Sequence, residues 1–188
     1  MAPEGLNFRG LLSRFSIKLV KKGIRETRMD HRAKIMTLPQ VLARRRELAA
    51  GGRKLVFTNG CFDLLHPGHL RYLAEARALG DFLVVGLNSD RSISALKGPA
   101  RPICPETVRA EMLAGLAAVD AVVVFDQDTP LALITALVPD VLVKGGDWTV
   151  DKIVGGSLVL ERGGEVRSLL LAEGFSSTSL IERIRGRA

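Results

Sequence analysis

The chain has 188 residues, 47% of them apolar and 25% charged, with a formal net charge of +7. This size and balance suit one globular domain with a sizeable core. No apolar run approaches the ~20 residues that cross a bilayer, and Arg9, Arg14 and Lys18 interrupt the first apolar cluster, which argues against a secretory signal.

The charge is uneven. Residues 1–33 hold 8 Lys and Arg against 3 Asp and Glu, whereas the rest of the chain holds 19 against 17. The basic character belongs to the N-terminal segment, so neither a nucleic acid nor a membrane is expected as a partner of the body. Residues 1–35 read as a basic N-terminal extension, poorly ordered, with Met29 and Met36 as alternative starts. Leu11, Leu12, Phe15 and Leu19 among basic residues also allow an amphipathic docking helix, but a tail is preferred. The folded domain is expected over 36–188. Two cysteines, Cys61 and Cys104, are expected to be free thiols of a cytoplasmic protein.

Thr37-Leu-Pro-Gln40 opens the first helix, with Thr37 as N-cap and Gln40 as its capping-box partner. Arg44, Arg45 and Arg46 lie on its wet side, and Gly51-Gly52 ends it. Strand one covers 54–59 and its helix 69–79. Strand two covers 82–87, followed by Asn88-Ser-Asp90 and a loop from Arg91 to Pro105. A helix at 106–118, with Pro105 in its first turn, leads to strand three at 121–125. Thr129 caps a helix that begins at Pro130 and runs to Leu137. Strand four covers 140–144 and strand five 166–171, with a short helix around 156–162 between them. Ser176 to Ser179 cap a last helix over 180–185.

The strands are short, continuous and apolar, which marks strands buried on both faces. Alternating with helices, they predict a doubly wound, Rossmann-like parallel sheet of five strands in a three-layer α/β/α sandwich. Ligands of such sheets bind beyond the carboxyl ends of the strands, at the switch point. Those ends carry the polar, glycine-rich chemistry: residues 59–69, 88–90, 144–148 and 176–178.

The densest stretch is Thr58-Asn-Gly-Cys-Phe-Asp-Leu-Leu-His-Pro-Gly-His69. A strand that turns through glycine into a helix start gathers free N–H groups and the positive helix end, which suits phosphate. His66 and His69 there can donate hydrogen bonds to phosphoryl oxygens. Lys97 and Lys144 can meet a phosphate as point charges, Arg109 as a bidentate fork, and Ser176 to Thr178 as a second anion cradle. The dinucleotide G-x-G-x-x-G and the P-loop are both absent. His66 and His69, three apart without a third His or a cysteine pair nearby, make a poor metal site, so no protein-bound metal is expected. Taken singly, each residue also has a structural role open to it: a turn histidine, a solvated lysine, a Ser/Thr cap.

The pattern Thr58-x-Gly60-x-Phe62-Asp63-x-x-His66-x-Gly68-His69 resembles the signature of the cytidylyltransferase-like, or H-x-G-H, nucleotidyltransferases. Lys144-Gly-Gly-Asp-Trp148 and Glu173-Gly-Phe-Ser-Ser-Thr178 continue the likeness, which covers about residues 36–186. Within the group the chain is most similar to the adenylyltransferase domain of bacterial ADP-heptose synthesis, through Leu87-Asn-Ser-Asp90, Leu96-Lys-Gly98, Asp128-Thr-Pro130, Pro139 to Asp147 and Gly163-Gly-Glu-Val166. Leu171 stands where the glycerol-3-phosphate cytidylyltransferases carry arginine.

The resemblance implies transfer of an adenylyl group from ATP to D-glycero-β-D-manno-heptose 1-phosphate, a sugar 1-phosphate, giving ADP-heptose for lipopolysaccharide-type glycans. A cytidylyltransferase acting on a polyol phosphate or phospho-amine is the alternative enzyme, and a nucleotide-binding protein that kept the fold is the non-enzymatic one. His66, His69, Lys97 and Lys144 take the catalytic roles. Nucleotide is expected at Phe57, Thr58, Asn59, Gly60, Cys61, Phe62, Gly68, His69, Asn88, Gly145, Gly146, Asp147, Trp148, Ser176, Ser177 and Thr178. The sugar phosphate is expected at Asp63, Ser89, Asp90 and Arg109, with Asp63 chiefly anchoring its loop. Mg²⁺ is carried mainly by the ATP phosphates, a homodimer is expected, and heptose kinase activity is expected from a separate protein.

Overall fold

In a computed structural model the chain is described over residues 30–146, 148–170 and 176–186. Helix α1 spans Leu38–Ala50, and Thr37 N–H donates to Gln40 Oε1 at 2.8 Å, as the capping box requires. There follow β1 (Leu55–Gly60), α2 (Pro67–Arg77), β2 (Phe82–Asn88), α3 (Asp90–Lys97), α4 (Glu106–Ala114) and β3 (Ala121–Phe125). The chain continues through α5 (Leu131–Leu137), β4 (Val141–Gly145), α6 (Gly156–Glu161), β5 (Glu165–Leu169) and α7 (Ser177–Ile184).

The five strands form one parallel sheet in the order β3-β2-β1-β4-β5. Because side chains alternate across a strand, each strand feeds two cores. Val56, Leu83, Val85, Leu87, Val122 and Val143 pack under α2 and α4 with Tyr72, Leu73, Leu113 and Ala114. Leu55, Phe57, Val84, Val123 and Leu142 pack under α1, α5 and α6 with Val41, Leu48, Ile134 and Val159. The three-layer sandwich therefore follows from strands apolar on both faces, which must be covered twice. The order reverses between β1 and β4, so a crevice opens beyond the carboxyl ends of those two strands.

At the opposite edge, aspartates satisfy the first strand amides. Lys54 N–H donates to Asp81, Leu55 N–H to Asp140 at 2.7 Å, and Leu83 N–H to Asp120 at 2.8 Å. These carboxylates thus sit away from the edge where an anion is expected to bind.

Several expectations are corrected. The stretch 91–105 holds helix α3, whose start is set by Ser89 Oγ accepting from Ser92 N–H at 3.0 Å. Only Ser92 and Ile93 of that helix are buried, so its apolar period is too sparse to read. Pro105 and Pro130 are themselves N-caps, and the 106–118 helix stops at Ala114. Strand β5 lies at the sheet edge with Arg167 and Ser168 exposed, so it is not buried on both faces. Arg45 is not on the wet side: it donates to the carbonyls of Leu137 and Val138, which α5 leaves free at its C-terminus, and to Asp140 at 2.9 Å.

Residues 31–34, within the expected extension, form described structure. A 3-10 turn over His31–Lys34 binds Glu111 through Arg32, and Met36 N–H donates to Val122 O at 2.9 Å. The reading of residues 1–29 lies outside the described residues. No helix among the described residues is long and apolar enough to cross a membrane.

Candidate active site

The crevice is built first from the end of β1. Gly60 has no room for a side chain: a Cβ there would lie 2.9 Å from Cε2 of the Phe62 ring. Phe62 adopts φ 44°, the left-handed region, which is costly for a non-glycine residue. That turn folds its ring inward, 5.2 Å from the His69 ring. His66 is the extended N-cap of α2, Pro67 holds the first turn, and Gly68 is buried beside them.

The rings of His66 and His69 stack at 3.8 Å between centroids and 25° between planes. Burial above all, then the charges of His66 and Lys97, push His69 down to about 4. Burial alone lowers His66. At neutral pH His69 is therefore an uncharged imidazole, a donor through one nitrogen and an acceptor through the other. Its Nδ1 is buried with no hydrogen-bond partner among the described residues.

Opposite stands Lys144 near the end of β4. Burial lowers its pKa, and the neighbouring Cys61 acts the other way. Two recesses meet at this lysine. One, about 130 Å³, is lined by Asn59, Gly60, Cys61, Phe62, His69, Tyr72, Lys144 and Gly145. The other, about 180 Å³, is lined by Asn59, Pro130, Leu142, Lys144, Trp148, Lys152, Ile153 and Val154. Gly146, at φ 117°, lets the chain fold back so that a Cβ there would be 3.1 Å from the Trp148 ring. Trp148 is 48% exposed, leaving a ring face free for a planar or apolar group. Asp147 lies outside the described residues. Ser177 Oγ donates to Leu64 O at 2.9 Å, tying the start of α7 to the histidine loop, while Ser176 caps that helix through Ser179 N–H. Thr178, in the first turn, is exposed.

Other expected residues are buried in the domain, most of them hydrogen-bonded within it. Phe57 is fully buried in the core, and the buried hydroxyl of Thr58 pairs with that of Tyr72 at 2.6 Å. Asp63, 4% exposed, accepts from Arg101 Nε at 2.7 Å, Ile103 N–H at 2.8 Å and Cys104 N–H at 2.9 Å. Burial works to raise its pKa, but these bonds outweigh burial and hold it below the usual value. These three donors engage its carboxylate and tie residues 101–104 to the histidine loop.

Arg109, 2% exposed, donates to Cys61 O at 2.7 Å, Cys104 O at 2.9 Å and Asp90 Oδ1 at 2.7 Å, so its fork is spent inside the protein. Asn88 donates to Ser92 Oγ at 2.9 Å, and Ser89 donates to Asp126. Lys97 is exposed in the last turn of α3, close enough for its charge to act on His69.

Sequence reasoning assigned no role to Arg101 beyond a place in the loop, and none to Lys152. The only signals were a cation between Lys97 and Cys104, and a second one past Trp148. Among the described residues no group of three or more His, Cys, Asp or Glu could hold a metal ion.

The arrangement can hold a polyphosphate: neutral imidazole donors and a helix N-terminus on one side, a desolvated lysine on the other. Several known proteins are similar to this chain. A bifunctional protein HldE of Syntrophotalea carbinolica is 59% identical over 136 residues, 72% of this chain and 28% of the relative. That of Geotalea uraniireducens is 53% identical over 156 residues, 83% and 32%. The chain thus spans about a third or less of the curated relatives it matches. A lipopolysaccharide core biosynthesis protein from Thermoplasma volcanium superposes with TM-score 0.51 at 28% identity, covering 64% of this chain and 98% of the other. A pantothenate synthetase from Thermus thermophilus, 16% identical with TM-score 0.56 over 81% and 68%, shares the fold. The family model described as cytidylyltransferase-like matches residues 57–183. From the stacked histidines at the switch point to that match over most of its folded length, the chain belongs to the cytidylyltransferase-like family of nucleotidyltransferases.

Proposed function

We propose that this domain joins ATP and D-glycero-β-D-manno-heptose 1-phosphate to give ADP-heptose and pyrophosphate. The observation that carries a nucleotidyl transfer is the His66–His69 stack at the α2 N-terminus, facing Lys144 across the β1/β4 crevice. The heptose reading is supported by the relatives named HldE and by the lipopolysaccharide core biosynthesis protein.

In this mechanism a phosphate oxygen of the sugar phosphate attacks the α-phosphorus in line, and pyrophosphate leaves from the far side. That oxygen is already anionic at neutral pH, so no general base is required. The protein's work is positioning and stabilisation of charge. Imidazole N–H groups of His66 and His69 donate to phosphoryl oxygens as charge moves towards the leaving group, and Lys144 and Lys97 offset it from the other sides. Lys144, desolvated, acts more strongly than an exposed lysine. The Trp148 recess suits the base, with Ser176, Ser177 and Thr178 offering hydroxyls and N–H groups to the phosphates. Mg²⁺ enters with the triphosphate; Asp63, the one carboxylate in the histidine loop, is engaged by Arg101 and two amides.

The test is pyrophosphate release from ATP or CTP with heptose 1-phosphate or glycerol 3-phosphate. ATP with heptose 1-phosphate is expected to turn over fastest. Turnover with CTP alone, or with the polyol phosphate alone, refutes the assignment.

A further inference from the structure

The segment after α3 is a strap laid over the histidine loop. It leaves Lys97 through Gly98 at φ 89°, a conformation open mainly to glycine. It turns back where Arg101 N–H bonds Gly98 O at 3.1 Å and Ser94 Oγ donates to Arg101 O at 2.6 Å. It then meets Asp63 at three donors: Arg101 Nε, Ile103 N–H and Cys104 N–H. Arg109 adds a second clasp, holding Cys61 O and Cys104 O together.

The Arg101–Asp63 pair is nearly closed to solvent, with side chains 11% and 1% exposed. Such a pair is poor evidence of stabilisation, because desolvation offsets most of the attraction. Here Arg101 Nη2 is also buried without a hydrogen-bond partner among the described residues, an added cost for a purely structural pair. What the pair does fix is geometry: it pins the chain four residues past Lys97 to the loop six residues before His69.

We infer that Arg101, acting through Asp63, is a positioning residue of the transfer reaction: it holds the strap on the histidine loop and thereby sets Lys97 against His69. This rests on the reading of His69 and Lys97 as phosphate-facing groups. A displacement of the strap moves Lys97 from the place where it meets the reacting phosphates, and a misplacement on the order of 1 Å can cost about 100-fold in rate.

The inference has a readout that needs no substrate. His69 is faced by His66 in the stack, by Lys97 from α3, and by Cys61, Tyr72 and Lys144 around the shared recess. Lys97 is one of the charges that keep His69 neutral. Proton NMR titration of His69 is therefore compared in the wild type, Arg101→Ala, Lys97→Met and the double variant. Arg101→Ala is expected to move the His69 midpoint upward, as Lys97→Met does, and the double variant to move it no further than Lys97→Met alone. An unmoved midpoint in Arg101→Ala overturns the inference. So do fully additive shifts, which place the effect in exposure of the ring and not in Lys97.

Arg101→Ala is also expected to lower kcat about 10- to 100-fold with ATP affinity changed less than about threefold. Arg101→Lys, which keeps the ion pair, is expected to recover most of both effects and substitutes if the alanine variant does not fold. Absence of pyrophosphate release in the wild type defeats the proposed function and leaves the titration to decide the strap on its own.

Discussion

Acidification examines the histidine stack directly. His69 titrates at about 4 in the folded protein, because of burial and then of the charges of His66 and Lys97, whereas an unfolded histidine titrates near 6.5. Between these values the unfolded chain binds a proton that the folded chain refuses. Stability therefore falls as pH drops below about 6.5, and the loss is complete once pH passes the folded value. One such group gives a slope of about 1.4 kcal/mol per pH unit, hence about 2 kcal/mol from pH 6.5 to 5. Partial solvent access of the ring reduces this to about 1 kcal/mol. Asp63 works in another window. Its folded pKa is lowered, so its contribution is present above the unfolded value near 4 and lost only as pH falls through its still lower folded value. The assay is urea denaturation of wild type and His69→Gln at about pH 7, 6 and 5, since glutamine keeps an N–H donor but does not titrate. The wild type is expected to lose about 1 kcal/mol more than the variant over that range. Parallel profiles, or a His69 NMR midpoint near 6.5, refute the account of a desolvated neutral imidazole.

Three further outcomes follow from the same geometry. Gly60→Ala forces its Cβ against the Phe62 ring, and Phe62 leans on His69. A stability loss of about 1–3 kcal/mol by thermal melting is expected, with a drop in turnover; unchanged melting contradicts the contact. His69→Ala is expected to lower kcat about 10²–10³-fold while the ATP dissociation constant changes little, as for donors that act on developing charge. A raised KM at constant kcat points instead to ground-state binding. Arg109→Met removes three part-buried hydrogen bonds, to Cys61 O, Cys104 O and Asp90. A loss of about 2–4 kcal/mol by denaturant titration is expected, and a near-neutral result shows that water replaces the guanidinium.

Much of this protein was legible in its residues alone. Apolar strands uninterrupted by polar positions demand helices on both faces, so the parallel sandwich follows from composition and period. The glycine and proline breaks around His66 and His69 place both rings at a helix start whatever the rest of the chain does. Capping is likewise local, and the Thr37–Gln40 pair forms as its spacing dictates. Helix α3 was illegible for the converse reason: its start depends on Ser89, and its burial on only Ser92 and Ile93.

Which polar groups face the crevice was decided by tertiary structure. Asp63 and Arg109 have the residue types of substrate ligands, yet both are spent on holding loops, because burying a charge demands partners and these loops supply them. Arg45 meets α5 carbonyls 92 and 93 residues away, a pairing with no trace in local sequence. The strap from Gly98 to Cys104 becomes a part of the site only when Asp63, 38 residues before Arg101, accepts its donors. Local sequence fixes where the chain turns and which faces are apolar, since those choices rest on backbone sterics and contact with water. The partner of each buried charge is settled only when distant segments meet, because a hydrogen bond has no preference for a donor until one is brought within reach.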